Sequence, residues 1–368
     1  MKNGKLQIGL VGCGGIANQK HLPALSRLNK LCEIKGFCDI ILERAETAAK
    51  QYGGEDAIVC EDYKVLLAEE SIDVIHVLTP NVAHCQITVD AFEAGKHVLC
   101  EKPMSHSTED AQKMLDAWKK SGKKFTIGYQ NRFRQDAQAL KRAVEQGELG
   151  EIYFAKAHAL RRKAVPTWGV FPNKALQGGG PLIDIGTHAL DLTLWYMDNY
   201  KPKYVLGSTF QKLKDNPDGN MFGPWDPETF ETEDSAFGLI KMENGTTIFL
   251  EASWALNVSQ NKEAATTLCG TKGGAELIPH GLGADYELNL NTAKFGKLVN
   301  ENVQLDAGAV AFFAGDNGSA PEDLEAYQWL NAILKDEEPL VKPEQAFVVT
   351  KILDSIYQSA KLGKAVEL

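Results

Sequence analysis

The chain has 368 residues, 44% of them hydrophobic, which is enough to bury the cores of two domains and removes disorder as the default. Its formal charge of -10 and pI near 5.4 argue against a nucleic-acid partner, which needs a basic field or stripe. No apolar run approaches the roughly 20 residues of a membrane span, and Met1-Lys2-Asn3-Gly4-Lys5 leads into a strand pattern rather than a signal-peptide core. The expectation is a cytoplasmic protein with a small-molecule substrate and no membrane partner.

From residue 6 to about 129, short β-branched runs alternate with helical patterns, as in a parallel sheet wound with crossover helices. Strands are expected at 6–11, 33–38, 57–60, 74–78, 97–100 and 125–128, with helices at 42–52 and 107–121. The latter opens Ser107-Thr108-Glu109-Asp110, which supplies acceptors to the first free backbone donors, and closes Lys119-Lys120-Ser121-Gly122, with cations and glycine at the negative terminus. Six of the seven cysteines (Cys13, Cys32, Cys38, Cys60, Cys85, Cys100) fall in this part without a C-x-x-C pair. They read as small buried hydrophobes, so neither a disulfide framework nor a metal site is expected.

After the first strand, Gly12-Cys13-Gly14-Gly15-Ile16-Ala17 opens a helix. Gly12 permits a tight turn, Gly14 and Gly15 lie where backbone approaches a pyrophosphate, and Ile16 and small Ala17 begin the helix whose positive end receives it. Asp39 ends the second strand, placed to accept bonds from an adenosine ribose. It would repel a 2′-phosphate, and no basic residue follows before Arg44, so NAD is expected over NADP. The fourth strand runs into Thr79-Pro80-Asn81 and His84, and the fifth into Glu101-Lys102-Pro103. Both are carboxyl ends of parallel strands, which face the ligand crevice.

Beyond Tyr129 the rhythm changes. A helix at 136–146 precedes strand-like runs at 151–158, 204–210, 235–242 and 246–254, the last two joined by the hairpin signal Glu243-Asn244-Gly245. An α+β domain with a largely antiparallel open sheet is expected for 130–368, after a doubly wound Rossmann domain over 1–129. Residues 215–227 read as a long surface loop, its length ascribed to structural variation. Arg161-Arg162-Lys163 reads as a solvated basic patch. Trp168 offers an apolar face to a sugar ring or nicotinamide, core packing being the equal alternative.

The set Gly12-x-Gly14-x-x-Ala17, Thr79-Pro80-Asn81 with His84, Glu101-Lys102-Pro103 and Gly180-x-x-x-Asp184-x-Gly186-x-His188 resembles the glucose-fructose oxidoreductase and inositol dehydrogenase family, Gfo/Idh/MocA. Ile40 departs from the proline that many members carry after the acidic residue. The resemblance implies that Lys102, Asp184 and His188 carry the chemistry on a sugar or polyol. An alcohol losing hydride must also lose its hydroxyl proton, and histidine is a suitable base. Lys102 would orient the hydroxyl and offset developing charge. Asp184 and His188 at i and i+4 share a helix face, where a carboxylate supports the imidazole. Asp191 reads as a helix-surface or structural acid. The function expected is hydride transfer between NAD and a secondary hydroxyl of a sugar, inositol or glycoside, in a homodimer or homotetramer formed over the open sheet. An NAD-dependent glycosidase and a non-catalytic nucleotide-sensing regulator are the alternatives.

Overall fold

The computed structural model describes residues 4–280, 285–305 and 320–368, arranged as two compact units. The first contains six parallel strands: β1 (Leu6–Val11), β2 (Cys32–Cys38), β3 (Ile58–Cys60), β4 (Val74–Val77), β5 (His97–Cys100) and β6 (Phe125–Ile127). Their order is β3-β2-β1-β4-β5-β6, which makes the doubly wound parallel sheet expected from the sequence. Every residue of β1 is buried, Gln7 and Gly9 included, as befits a central strand covered on both faces. The order reverses between β1 and β4, so their carboxyl ends open the crevice of a doubly wound sheet.

The helix Thr108–Ser121 begins as its sequence requires. Ser107 accepts from the Asp110 amide at 3.2 Å, and Gly122 closes the other end with φ 65°, the left-handed cap that favours glycine. The chain also returns to this unit: residues 320–347 belong to it. In the helix Pro321–Leu334, Trp329 and Leu330 are buried with Leu6, Ile8, Leu25 and Ile34.

That returning helix closes a buried polar cluster. Lys20 Nζ lies 2.7 Å from Glu101 Oε1 and 2.8 Å from Glu325 Oε2. His21 Nε2 is 2.8 Å from the same Glu101 oxygen, and its Nδ1 lies 3.3 Å from Nδ1 of His76. Burial pushes both imidazoles toward the neutral form. The arrangement then fixes the tautomers: His21 donates through Nε2 to Glu101 and accepts at Nδ1 from His76.

The second unit takes residues 134–305 and 348–368 of the described chain. Its sheet has nine strands: β7 (Ile152–Leu160), β8 (Pro202–Phe210), β9 (Ser235–Met242), β10 (Thr247–Ser253), β11 (Lys262–Gly270), β12 (Gly274–His280), β13 (Asp285–Lys294), β14 (Lys297–Val303) and β15 (Val366–Glu367). The order is β14-β13-β12-β11-β7-β10-β9-β8-β15. All neighbours are antiparallel except β7 and β10. Gly245 turns the expected hairpin between β9 and β10 with φ 93°. The helix Thr187–Met197 packs on β7 and β11 and is buried from Thr187 through Tyr196. Asp191 is therefore an interior acid, not a surface one. On the outer side of the sheet, Leu206, Phe210 and Phe249 remain exposed.

Glu325 gives a stability prediction. Burial, reinforced by the charge of Glu101 and opposed by Lys20, pushes its carboxyl up from the ordinary range to about 7. The folded state thus holds a proton that the unfolded chain releases at lower pH. The stability so contributed is full below the ordinary carboxylate pKa and is lost as pH rises through about 7. Glu325→Gln should gain on the wild type between about pH 5 and pH 8, as measured by denaturant unfolding across that interval. A constant difference between the two would show that Glu325 is ionised throughout.

Candidate active site

The glycine loop is built around one close approach. Gly12 has φ 100°, its amide donates to the Cys38 carbonyl at 2.8 Å, and an added Cβ would lie 2.4 Å from the Leu78 carbonyl oxygen. Only glycine fits. Gly14 and Gly15 face the other way: a Cβ on either would meet nothing within 4 Å. The helix they open includes a π segment, Ala17–His21, with Ala17 fully buried and Ile16 exposed.

Asp39 closes one end of this cradle. Its Oδ2 accepts from the Cys13 amide at 2.8 Å and its Oδ1 from the Ile41 amide at 2.9 Å. The carboxylate is thereby fixed against the loop, and each oxygen retains a lone pair for a further donor. Ile40, Ile41 and Leu42 expose an apolar rim beside it. At the opposite wall the buried Thr79 hydroxyl has no hydrogen-bond partner among the described residues. An open glycine loop, a fixed carboxylate, an apolar rim and a waiting hydroxyl fit a dinucleotide.

The two loops after β4 and β5 are braced together. Pro80 precedes a 3-10 turn, Asn81–Ala83. His84 is fully buried, with Nδ1 2.9 Å from the Pro103 carbonyl and Nε2 2.9 Å from the Thr79 carbonyl. Burial lowers its pKa, and the two carbonyl acceptors pull in the other direction. The neighbouring Glu101 is buried and accepts the Lys102 amide on Oε2 at 3.1 Å. Burial raises the Glu101 pKa, but Lys20 and the hydrogen bond from His21 outweigh it and hold the carboxyl well below the ordinary range. Gly128 makes room for this carboxylate, since a Cβ there would sit 2.8 Å from Oε1. The Lys102–Pro103 peptide is cis.

In the second unit, Gly178, Gly179 and Gly180 lead into the helix expected to carry Asp184 and His188. Its first turn, Leu182–Gly186, is π-helical, and the α-helix Thr187–Met197 follows without a break. The four-residue spacing therefore spans a change of helical winding rather than one uniform α-turn. Trp254 donates its indole N–H to Asp184 Oδ2 at 3.0 Å, and His188 is buried.

Glu233, absent from the sequence-based candidates, anchors the start of this helix. Its Oε1 accepts from the amides of Gly180 at 2.9 Å and Leu182 at 3.3 Å and from the Tyr357 hydroxyl at 2.7 Å. Burial raises its pKa, and these donors oppose the rise. Arg161 corrects the expectation of a solvated patch. It forms a bidentate pair with Glu263, at 2.7 Å from Nε and 2.6 Å from Nη2, while Arg162 is exposed. Trp168 is half-exposed and stands edge-on to Phe222.

Among the described residues no group of three or more His, Cys, Asp or Glu is placed to hold a metal ion, and no helix is long and apolar enough to cross a membrane.

Residues 6–129 match the oxidoreductase family model for the NAD-binding Rossmann fold, and residues 141–368 match that family's C-terminal alpha/beta domain. Together these define a two-part NAD-binding oxidoreductase. The chain belongs to the Gfo/Idh/MocA family. It is 36% identical over 368 residues to D-glucoside 3-dehydrogenase of Escherichia coli (strain K12), covering 100% of this chain and 99% of that one. Levoglucosan dehydrogenase of Pseudarthrobacter phenanthrenivorans is 26% identical over 272 residues, 67% of each. Among solved structures, a levoglucosan dehydrogenase complexed with NADH and levoglucosan superposes with a TM-score of 0.81 at 23% identity, covering 99% of both chains. An oxidoreductase domain protein from Kribbella flavida does so at 0.84 and 21% identity, again over 99% of both. At these identities the structures speak to the fold.

The anchoring by Glu233 is testable. Glu233→Ala leaves two amides and a hydroxyl without their acceptor, a loss of about 2 to 4 kcal/mol, whereas Glu233→Gln keeps an acceptor oxygen and should recover much of it. Chemical denaturation of the two variants reads the difference. Equal stabilities would mean that the helix start does not depend on this side chain.

Proposed function

We propose that the protein oxidises a secondary hydroxyl of a D-glucoside or related sugar with NAD. The observation that carries this reading is the buried helix bearing His188, with Asp184 held by the Trp254 indole at 3.0 Å. The full-length likeness to D-glucoside 3-dehydrogenase supports the choice of a glucoside and of its 3-hydroxyl.

NAD, when bound, supplies the hydride acceptor. Gly12, Gly14, Gly15, Ile16 and Ala17 would hold its pyrophosphate, Asp39 its adenosine ribose, and Thr79, Pro80, Asn81, His84 and Glu101 its nicotinamide end, directly or through the loops they brace. His188 takes the hydroxyl proton as the carbinol hydrogen departs with its electron pair. Lys102 donates to the same oxygen and offsets the charge that develops there. Asp184 stabilises the imidazolium formed at His188. The exposed Leu206, Phe210 and Phe249 support self-association through the outer sheet face into a homodimer or homotetramer. The seven free thiols suit a reducing, cytoplasmic setting.

His188→Asn should abolish the general-base contribution, lowering turnover by about 10²- to 10⁴-fold while NAD affinity changes little. In the wild type, rate should rise with pH as an imidazole loses its proton. Steady-state profiles of both proteins, with a deuterium isotope effect to establish that chemistry limits the rate, decide the matter. A variant with unchanged turnover and profile would move the proton elsewhere. Lys102→Ala should likewise remove most turnover with folding and NAD affinity retained.

Cofactor choice has its own test, sharpened by the structure. Asp39→Asn keeps an oxygen for the Cys13 amide while removing the charge, so the preference for NAD over NADP should narrow without loss of the loop. Titration of both cofactors measures it, and a wild type that binds NADP as tightly as NAD would refute the assignment.

A further inference from the structure

The segment 211–230 is tied to 161–172 by a ladder of polar contacts. The Met221 amide donates to the Lys163 carbonyl at 3.0 Å. Asn220 takes the Val165 amide at 2.8 Å and returns a bond to its carbonyl at 3.0 Å, and the Thr167 hydroxyl donates to the Phe222 carbonyl at 2.8 Å. Behind the ladder, Trp225 is buried against Phe230, with its indole N–H on the Lys214 carbonyl at 2.7 Å. These bonds hold three apolar side chains in the open: Trp168 is 52% exposed, Met221 57% and Phe222 36%.

This patch is continuous with the candidate site. Trp254, whose indole N–H holds Asp184, lies 6.3 Å centroid to centroid from Phe171; Phe171 lies 6.0 Å from Trp168, and Trp168 lies 4.8 Å from Phe222. All three ring contacts are edge-to-face, so the rings brace one another and leave faces free. Leaving large apolar side chains in water on a hydrogen-bonded scaffold, rather than folding them inward, marks a surface meant to be covered. Three side chains fall far short of the roughly 800 Å² per partner that a stable protein interface buries. A single ring is the occupant of matching size.

We propose that Trp168, Met221 and Phe222 form a stacking subsite for the group attached to the oxidised sugar, a planar apolar aglycone of a glycoside. This rests on the glucoside reading above and extends it to the part of the substrate that does not react. The sugar's hydroxyls go to the polar end of the ring series at Asp184, and the aglycone goes to its exposed end. Contact with that remote group is made equally in the ground and transition states, so it tightens substrate binding rather than speeding the chemical step.

The test compares kcat/KM for phenyl and methyl D-glucosides with NAD in the wild type, Trp168→Ala and Phe222→Ala, with thermal unfolding alongside. A ring stacked on aromatic side chains is worth about three- to tenfold. The wild type should prefer the phenyl glucoside by about that factor, and either variant should bring the ratio toward one, chiefly through KM. The ratio cancels any general loss of active protein, and Phe222→Leu is the milder substitute where an alanine variant fails to fold. A wild-type ratio near one, or a ratio that neither variant changes, overturns the subsite. If neither glucoside yields NADH, calorimetric binding of both to the NAD-loaded protein separates the two proposals. Tighter phenyl binding that Phe222→Ala abolishes keeps the subsite while the oxidation of glucosides falls, and equal or absent binding removes the subsite as well.

Discussion

Glu101 is the group on which the first unit's site depends. One carboxylate oxygen takes Lys20 and His21, and the other takes the amide of Lys102, the residue proposed to face the reacting oxygen. A buried carboxylate is costly unless paired and hydrogen-bonded, and removing a partner from such a pair costs about 3 to 5 kcal/mol. The cost is met here by a cluster that balances. Lys20 supplies one positive charge, Glu101 one negative charge, and Glu325, pushed up to about 7, approaches a neutral acid near neutral pH. His21 and His76 stay uncharged and pass one hydrogen bond along the chain. The lysine's backbone is therefore set by a network reaching from the first helix to the helix Pro321–Leu334.

The second unit reaches a similar end differently. Its helix Thr187–Met197 is buried on every side, so packing fixes its axis and leaves little freedom for His188. What packing does not fix is the entry, where a π-turn leaves the usual α-helical ladder. Glu233 supplies an acceptor to the Gly180 and Leu182 amides, and Trp254 holds the one carboxylate in that turn. The glycines before it serve this closeness: a Cβ on Gly180 would fall 2.3 Å from the Glu233 carbonyl oxygen, and one on Gly179 2.0 Å from the Tyr357 hydroxyl.

Much of this was legible in residue order. β1, β5 and β9 begin and end where their apolar runs do, and the glycine loop announces itself because Gly12 must occupy a conformation and a space that no side chain shares. The strands β11 to β14 were not seen. β14 alternates only between half-buried and exposed residues, so it lacks an apolar face for the eye to follow. The partners of Glu101 were also invisible. Lys20 and Glu325 lie hundreds of residues apart, and a lysine on an amphipathic helix looks solvated until its carboxylates are placed beside it. Arg161 failed in the same way, its apparent basic patch being an ion pair with Glu263. Pattern reveals periodicity; it does not reveal long-range polar pairing.

That division of labour bears on how one scaffold serves different substrates. The nine-stranded sheet is held by backbone ladders, which depend little on side-chain identity, whereas the joined segments 161–172 and 211–230 are held largely by side chains such as Asn220 and Thr167. Substitutions at Asn220 or Thr167 would loosen this joint without removing a strand-to-strand hydrogen bond. Structures at 21% and 23% identity still superpose with TM-scores of 0.84 and 0.81, while curated relatives are named for glucosides, levoglucosan and inositol. Shared fold with different named substrates places the differences in sites carried on the fold rather than in the fold itself. On the ring subsite proposed above, the substrate of this chain is written less in the motifs that identify the family than in the loop whose length first suggested mere variation.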